Sequence, residues 1–267
     1  KRGQKINPSS IEQFSKKNKI NFRNPTNLNS EFEYNILKKL SPDLGIVVAY
    51  GQLIPNSFLN IPKFGFINIH ASLLPKWRGA APIQRAIMNG DKKIGISIMK
   101  VERKLDSGPI LKTKEIELDQ NSTYGEVEKK LSTLGANLLI ESIKTMETGK
   151  VKFTEQDHLE ATYAKKIDKS ETKINWNLDA NKVLVNIHGL SPNPGSWFEY
   201  KKERFKVLKV KISRNQGKPS LVLDENLIIG CKSNSIQILE LQRQGKKKQT
   251  IKEFLLGNKI SKGSILN

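Results

Sequence analysis

The chain has 267 residues, of which 37% are hydrophobic and 27% are charged, which predicts two folded domains and excludes a wholly disordered protein. Its 46 Lys and Arg residues outnumber its 26 Asp and Glu residues, and the net charge of +20 favours a polyanionic partner, nucleic acid ahead of a membrane surface. One cysteine and three histidines exclude a disulfide framework and argue against a Cys/His zinc site.

Apolar strands and amphipathic helices alternate along the first 150 residues. A polar stretch with room for one short helix, Lys1–Ser30, comes first. The predicted elements then follow as a helix over Glu31–Leu40, a strand over Asp43–Tyr50, a short helix over Pro55–Leu59, a strand over Gly65–His70, a helix over Pro82–Met88, strands over Gly95–Lys100 and Pro109–Glu117, and a helix over Thr123–Thr148. This order predicts an α/β domain with a mostly parallel sheet. Sites in such sheets lie at the carboxyl ends of strands, which is where His70 falls.

The pattern changes after Lys150. Residues 152–169 are polar without a clear period and are predicted to link a first domain, residues 1–151, to a second, residues 170–267. Short β-like runs separated by turn residues predict that the second domain is a small all-β barrel; they are Lys206–Ile212, Leu221–Val222, Leu227–Cys231 and Ser235–Leu241. The 102 residues after Lys165 carry a net charge of +11, although a lysine-rich source proteome would produce the same excess.

The densest polar cluster of the sequence runs from Asn68 to Gly79. Residues i and i+2 of a strand share a face, so Asn68 and His70 are expected to project together. A neutral histidine that moves a proton and an asparagine that stabilises an oxyanion suit a reaction at a carbonyl group. The alternative is a hydrogen-bonded structural histidine at a strand end.

Asp106 is the third candidate, in a loop that follows the strand Gly95–Lys100. If that strand neighbours the one that carries His70, both loops are expected to leave the sheet at the same edge. The Asp106 carboxylate would then orient the imidazole and stabilise its charged form. An ordinary turn is the alternative, since Asp-Ser-Gly is also a common turn sequence.

Several segments together form a recognisable pattern. The longest, Asn68–Gln84, reads NIHASLLPKWRGAAPIQ, and Ala49–Gly51, Gly90–Asp91 and Leu105–Gly108 accompany it in the first domain. The second part contributes Ala161–Lys166, Ile174–Trp176 and Ser191–Trp197. These segments closely resemble the 10-formyltetrahydrofolate-dependent formyltransferases, and within that family the enzymes that act on methionyl-tRNA. The resemblance covers essentially the whole chain.

The resemblance implies an activity: transfer of a formyl group from 10-formyltetrahydrofolate to the α-amino group of methionyl-initiator tRNA, for translation initiation. It implies catalytic roles for Asn68, His70 and Asp106. It also implies a folate-binding loop formed by Ser72, Leu73, Leu74 and Pro75. In the implied reaction the amine attacks the formyl carbon, Asn68 and protonated His70 hold the oxyanion, and Asp106 holds the ring, with no metal involved.

The resemblance also implies a fold and partners. The fold is a Rossmann-like catalytic domain over residues 1–151, followed by an OB-like β-barrel over residues 170–267 that binds tRNA. Lys201–Lys202 and Lys246–Lys248 are candidates for phosphate contacts, or simply solvated lysines. Arg2 matches a tRNA-reading arginine. Family members begin with a strand, a helix and a strand ahead of the region that matches Lys1, so a fragment that lacks a core strand is expected.

Other expectations are simpler. The expected location is the bacterial cytoplasm, because a single cysteine fits a reducing compartment and the sequence has no run of 18 apolar residues that could cross a membrane. A monomer is also expected. His158 is expected to have no catalytic role, His188 to pack at a helix end, and Cys231 to be a small core residue. Three alternative functions stay open: formyl transfer to a small amine, hydrolysis of the formyl folate, and non-catalytic RNA binding.

Overall fold

A computed structural model describes residues 8–149 and 151–267, so the predicted tRNA contact at Arg2 lies outside the described residues. The helices are α1 (Ser10–Lys17), α2 (Glu31–Leu40), α3 (Asn56–Leu59), α4 (Pro82–Asn89), α5 (Tyr124–Glu147), α6 (Ala180–Leu190) and α7 (Ile251–Gly257). The strands are β1 (Gly45–Val48), β2 (Phe66–His70), β3 (Arg78–Gly79), β4 (Lys93–Lys100), β5 (Ile110–Glu117), β6 (Tyr163–Ala164), β7 (Ser196–Tyr200), β8 (Glu203–Ser213), β9 (Ile228–Gly230), β10 (Ser235–Arg243) and β11 (Lys248–Thr250).

The chain divides into two compact units, residues up to 44 with 52–65, and residues 45–51 with 66–267. In the first unit, α2 has the predicted bounds. It begins where the Ser30 hydroxyl accepts a hydrogen bond from the Glu33 amide, and it ends at Ser41 in the left-handed conformation. Tyr34 of α2 packs edge-on against Phe58 of α3.

The second unit contains the predicted α/β sheet, with strand order β1-β2-β4-β5. Only β1 and β2 are parallel, whereas β4 runs antiparallel to both of its neighbours. The α/β fold class is the predicted one, and within these four strands the parallel pairing is confined to β1 and β2. One physical reason is the connection from β4 to β5: residues 101–109 are too few for the crossover that a parallel pair needs.

This direction corrects the expectation that the loops after β2 and β4 leave at the same edge of the sheet. His70, at the end of β2, pairs with Ser97 in the middle of β4, while the Val101 amide donates to the Phe66 carbonyl at the start of β2. The loop over residues 101–109 therefore begins at the opposite end of β2. It reaches the predicted site only because it folds back over one face of that strand.

Helix α5 packs on the other face of the sheet. A capping box formed by Thr123 and Glu126 begins the helix, and Gly135 lies so close to β2 that a Cβ there would fall 3.0 Å from Ile69 Cγ2. Ile67 and Ile69 alternate with Asn68 and His70 along β2, so the two polar residues occupy the face that α5 does not cover.

The C-terminal part is a curled antiparallel sheet in the order β11-β10-β8-β7, with β9 paired to β10, which confirms the predicted β-barrel type of domain. Stacked and edge-on aromatic rings of Phe198, Phe205 and Phe254 lie in its core. The fully buried Cys231 belongs to the same core, as expected. Helix α6 was not predicted, although Ala180, Val183, Leu184 and Ile187 have the spacing of an apolar helical stripe and are buried.

His188 of α6 joins three segments of this unit and is fully buried. Its Nε2 accepts from the Val210 amide at 3.3 Å, so the neutral ring carries its proton on Nδ1, which faces the Gln120 carbonyl at 3.4 Å. Burial lowers the pKa of His188, and the positive charge of Lys209 lowers it further, while Gln120 and Glu126 act in the opposite direction. The expected packing role is therefore also an electrostatic one.

We predict that His188 makes the fold less stable in mild acid. Its folded pKa lies below its unfolded value of about 6.5, so the unfolded chain takes up a proton that the folded chain excludes as pH falls through that value. The free energy of unfolding should then decrease by up to about 1.4 kcal/mol per pH unit from this group. Chemical denaturation between pH 7.5 and 5 should show a steeper loss in the wild type than in His188→Gln. Equal slopes would contradict the assignment.

Candidate active site

The structure brings together the three residues that the sequence singled out. Asn68 lies within β2, His70 ends that strand, and Asp106 lies in the loop that folds back over them. Asn68 Nδ2 donates to Asp106 Oδ1 at 3.4 Å, and His70 Nδ1 is 3.6 Å from Asp106 Oδ2. Both partners therefore face one carboxylate, from which they are separated by 38 and 36 positions in the sequence.

The His70 ring is buried and held in one orientation. Its side chain is 6% exposed, and Nε2 lies 2.9 Å from the carbonyl oxygen of Trp77. A carbonyl only accepts hydrogen bonds, so Nε2 carries a proton. A second proton on Nδ1 would point at Asp106, across a distance slightly too long for a hydrogen bond here. This arrangement gives the ring a place to hold a proton at the site.

Asp106 is held by several contacts. Its backbone has φ of 47° in the left-handed region, which non-glycine residues rarely adopt. The Gly79 amide donates to Asp106 Oδ2 at 2.9 Å, and Gln156 Nε2 donates to the Asp106 carbonyl at 3.0 Å. Gly79 itself has φ of 119°, and a Cβ there would lie 2.9 Å from the Ala164 carbonyl oxygen. Only glycine therefore fits this position without strain.

The predicted folate-binding loop follows His70 directly. The Ser72 hydroxyl is fully buried and donates to the Lys76 carbonyl at 2.6 Å, so it closes the loop on itself. Leu74 is also buried, and its amide donates to Ser97 Oγ at 3.1 Å. Leu73 and Pro75 are half-buried. They are the two loop side chains that present accessible apolar surface beside the His70 end of β2.

Sequence reasoning missed three contributors to this site: the Trp77 carbonyl, the Gly79 amide and the Gln156 side chain. Trp77 and Gly79 belong to the polar cluster that was noticed, but a backbone group has no sequence signal of its own. Gln156 lies in the segment that was predicted to be a linker. That segment is well ordered against the site, because β6 pairs in parallel with β3. His158 in the same segment contacts Arg78, with Nδ1 2.9 Å from Nη2.

Both predicted lysine runs lie at one end of the C-terminal sheet. Lys201 and Lys202 form the turn between β7 and β8, and Lys246 and Lys247 lie in the turn between β10 and β11. The pairing of Arg243 with Phe205 aligns the two turns. Arg243 is neutralised there by Glu203, whose pKa it lowers through two hydrogen bonds.

Two cationic side chains contact the aromatic ring of Trp197 in β7. Arg204 Cζ lies 4.0 Å from the Trp197 ring centre, and Lys173 Nζ lies 5.7 Å from it. Cations stacked on an aromatic ring, together with unpaired lysines, are typical of surfaces that bind nucleic acid. Lys248 makes a long ion pair with Glu240, at 3.7 Å.

Neither a metal-binding cluster nor a membrane-spanning helix is found among residues 8–149 and 151–267. No group of three or more His, Cys, Asp and Glu side chains in this part of the chain is arranged to hold a metal ion. Nor does any helix here combine the length and apolar character needed to cross a membrane.

Solved structures with the same fold include two proteins solved with folates. HypX from Aquifex aeolicus, in complex with tetrahydrofolic acid, superposes with a TM-score of 0.67 at 18% identity, over 88% of this chain and 43% of that one. This chain thus spans less than half of HypX. The sugar 3N-formyl transferase WlaRD, solved with dTDP and 5-N-formyl-THF, superposes with a TM-score of 0.66 at 18% identity, over 88% of this chain and 81% of that one. At these identities the likeness shows the fold.

Sequence comparison identifies the family. A profile described as formyl transferase matches residues 2–143, and a second, formyl transferase C-terminal domain, matches residues 166–259. The methionyl-tRNA formyltransferase of Pelagibacter ubique is 49% identical over 98% of this chain and 86% of its own length. The methionyl-tRNA formyltransferase of a Chelativorans species is 41% identical over 100% of this chain and 87% of its own length. The resemblance read from the motifs is thereby confirmed, and the chain belongs to the formyl transferase family.

Proposed function

We propose that this chain transfers a formyl group from 10-formyltetrahydrofolate to the α-amino group of methionyl-initiator tRNA, giving N-formylmethionyl-tRNA for translation initiation. The observation that carries the proposal is the 49% identity to a methionyl-tRNA formyltransferase over 98% of the chain. The cluster of Asn68, His70 and Asp106 supports it, because those groups suit acyl-type transfer. Relatives of this function are bacterial, and we infer a cytoplasmic monomer.

The proposed reaction forms one bond and breaks another. The methionyl nitrogen attacks the formyl carbon, the bond from that carbon to N10 of the folate breaks, and one proton passes from the amine to N10. Asn68 and protonated His70 stabilise the oxygen that becomes negative on the way. His70 takes this proton from the amine, which makes the ring positive, and releases it to N10 as the bond to the formyl carbon breaks, while Asp106 balances the charge of the ring. The chemistry needs no covalent bond to the protein.

We assign the folate to the loop after β2. Leu73 and Pro75 offer apolar surface to its rings, while Ser72 and Leu74 shape the loop from inside. This placement puts the folate next to the end of β2, where His70 lies. Residues 1–151 form the proposed catalytic domain and residues 152–169 the proposed connection. Residues 170–267 form the proposed tRNA-binding domain.

The lysine run Lys246–Lys248 leads to a test of the tRNA surface. Replacing all three by alanine should flatten the dependence of log K on log salt concentration, by about 0.7–0.9 for each lysine that contacts a phosphate. Filter binding of tRNA between 50 and 200 mM salt, the range over which such contacts show strongly, measures that slope. A matched control removes the same charge from α5 by replacing Lys129, Lys130 and Lys144, and should change it less. An unchanged slope would assign the run to a solvated surface.

The rival functions differ in their acceptor. A small-amine formyltransferase needs no basic barrel, and the 102 residues after Lys165 carry +11 of the net charge of +20, more per residue than the first part of the chain. A folate hydrolase would release formate without any acceptor, and a non-catalytic RNA-binding protein would do neither reaction. We therefore propose an acceptor panel of charged initiator tRNA, free methionine, glycinamide ribonucleotide and an amino sugar nucleotide. Transfer to the charged tRNA alone is the expected result, and preferred transfer to a small amine would overturn the proposal.

A further inference from the structure

Gln156 forms four side-chain hydrogen bonds at the candidate site, although it is not one of the proposed catalytic or folate-binding residues. It lies between α5 and β6 and is 5% exposed. Its side-chain nitrogen donates to the carbonyl oxygens of Asp106 at 3.0 Å and of Gly108 at 2.7 Å. Its side-chain oxygen accepts from Arg78, at 3.1 Å from Nε and 2.7 Å from Nη2.

These four bonds exhaust the side-chain amide. A glutamine has two N–H donors and two acceptor lone pairs, and Gln156 uses each of them inside the protein. A buried polar group with every position satisfied has one orientation, because any rotation leaves donors or acceptors unpaired. The backbone at Asp106 and Gly108 is therefore fixed relative to Arg78.

Arg78 determines which way the Gln156 amide points. The guanidinium only donates, so the oxygen of Gln156 must face it and the nitrogen must face the loop. Arg78 is 4% exposed, and none of the ion pairs among the described residues includes it. The Arg78 guanidinium contacts Gln156 and the His158 ring instead of the Asp106 carboxylate. It therefore does not compete with His70 for that carboxylate.

The loop needs such a contact. Residues 102–105 are all exposed, and burial begins only at residues 106–109. Asp106 itself is in the left-handed conformation, which a free loop would leave readily. Gly108 packs so tightly that a Cβ would lie 2.1 Å from the Lys100 carbonyl oxygen. Gln156 thus bonds the loop at the point where it turns from solvent to the site.

We propose that Gln156 is a positioning residue for formyl transfer. Oriented by Arg78, it holds the Asp106 backbone so that the carboxylate faces Asn68 and His70. The proposal rests on the proposed function for its effect on rate, and on the hydrogen bonds alone for its effect on the loop. These two consequences can be measured separately.

The test is Gln156→Glu, which keeps the size of the side chain and the acceptors that face Arg78. It removes both donors and sets a carboxylate oxygen against two carbonyl oxygens. We expect kcat to fall about 10–100-fold, the usual effect of removing a residue that orients a reacting group. KM for tRNA and for folate should stay within about twofold of the wild-type values. Thermal stability should not fall in parallel, because the new carboxylate pairs with Arg78. The neighbouring exposed Glu155→Gln is the matched control and should behave as wild type.

A second readout does not depend on activity. Trypsin can cleave after Arg103 and Lys104 in the exposed part of the loop, and we expect Gln156→Glu to be cleaved there about 10-fold faster than wild type, since cleavage follows opening. Gln156→Met, which lacks all four bonds, should show the same increase. It replaces Gln156→Glu in this test if the glutamate variant folds poorly. Faster cleavage with no transfer by any variant, wild type included, would uphold the positioning role and overturn the proposed function. Unchanged cleavage, or an unchanged kcat when the wild type is active, would overturn the positioning role.

Discussion

Replacing His70 by alanine is expected to lower the rate of formyl transfer by about 10²–10⁴-fold, the usual contribution of a positioned general acid–base. The ring is buried and held by the Trp77 carbonyl, with Nδ1 facing Asp106, and the substitution removes the group that is proposed to hold the moving proton. Affinity for methionyl-initiator tRNA should stay within about twofold, because the ring acts in the transition state. Single-turnover transfer and tRNA filter binding measure the two effects.

The separation of the two effects is what identifies the role of His70. Loss of tRNA binding equal to the loss of transfer would make His70 a structural residue, the alternative that the sequence left open. Urea denaturation of His70→Ala provides the control, since a folded variant must unfold at a denaturant concentration near that of the wild type.

Replacing Asp106 by asparagine is expected to have the second large effect, a decrease of about 10²–10⁴-fold in kcat, comparable to the same change in a Ser-His-Asp triad. The carboxylate accepts hydrogen bonds from the Asn68 side-chain amide and the Gly79 backbone amide, and it faces the His70 ring. Asparagine has the same shape and keeps one oxygen for Gly79, but it removes the negative charge that balances a protonated ring.

A matched control for this variant is Asp119→Asn, at an exposed carboxylate that accepts from the backbone and side-chain amides of Asn121. That variant should transfer formyl groups at the wild-type rate. If His70 and Asp106 act as one unit, the double variant should be little slower than either single one. A near-normal rate in Asp106→Asn would exclude the carboxylate from the reaction.

Local patterns in the sequence predicted the elements of the fold well. The helix over Glu31–Leu40 was located to the residue, because its serine cap and its apolar spacing coincide. Strand β2 was predicted one residue too long, and its alternation placed Asn68 and His70 on one face. The motifs identified the family over both domains, which the profile matches confirm.

Strand direction and long-range contacts were beyond such patterns. An apolar strand reads the same in either direction, so the antiparallel pairing of β4 with β2 had no signal in the sequence. The Asp106 loop reaches His70 by folding back from the opposite end of the strand, a route that no local pattern indicates. Gln156 is 50 positions from Asp106 and lies in a polar segment that resembles a linker. The catalytic and folate-binding roles of the site residues stay predictions.

The most direct test follows the formyl carbon itself. Labelled 10-formyltetrahydrofolate is incubated with this chain and methionyl-initiator tRNA, and the products are separated after the aminoacyl ester is hydrolysed. The proposed function predicts that the label is recovered as N-formylmethionine, and that each of the variants Asn68→Ala, His70→Ala and Asp106→Asn lowers the rate of its recovery. Label recovered as free formate, at a rate that does not depend on the charged tRNA, would contradict it.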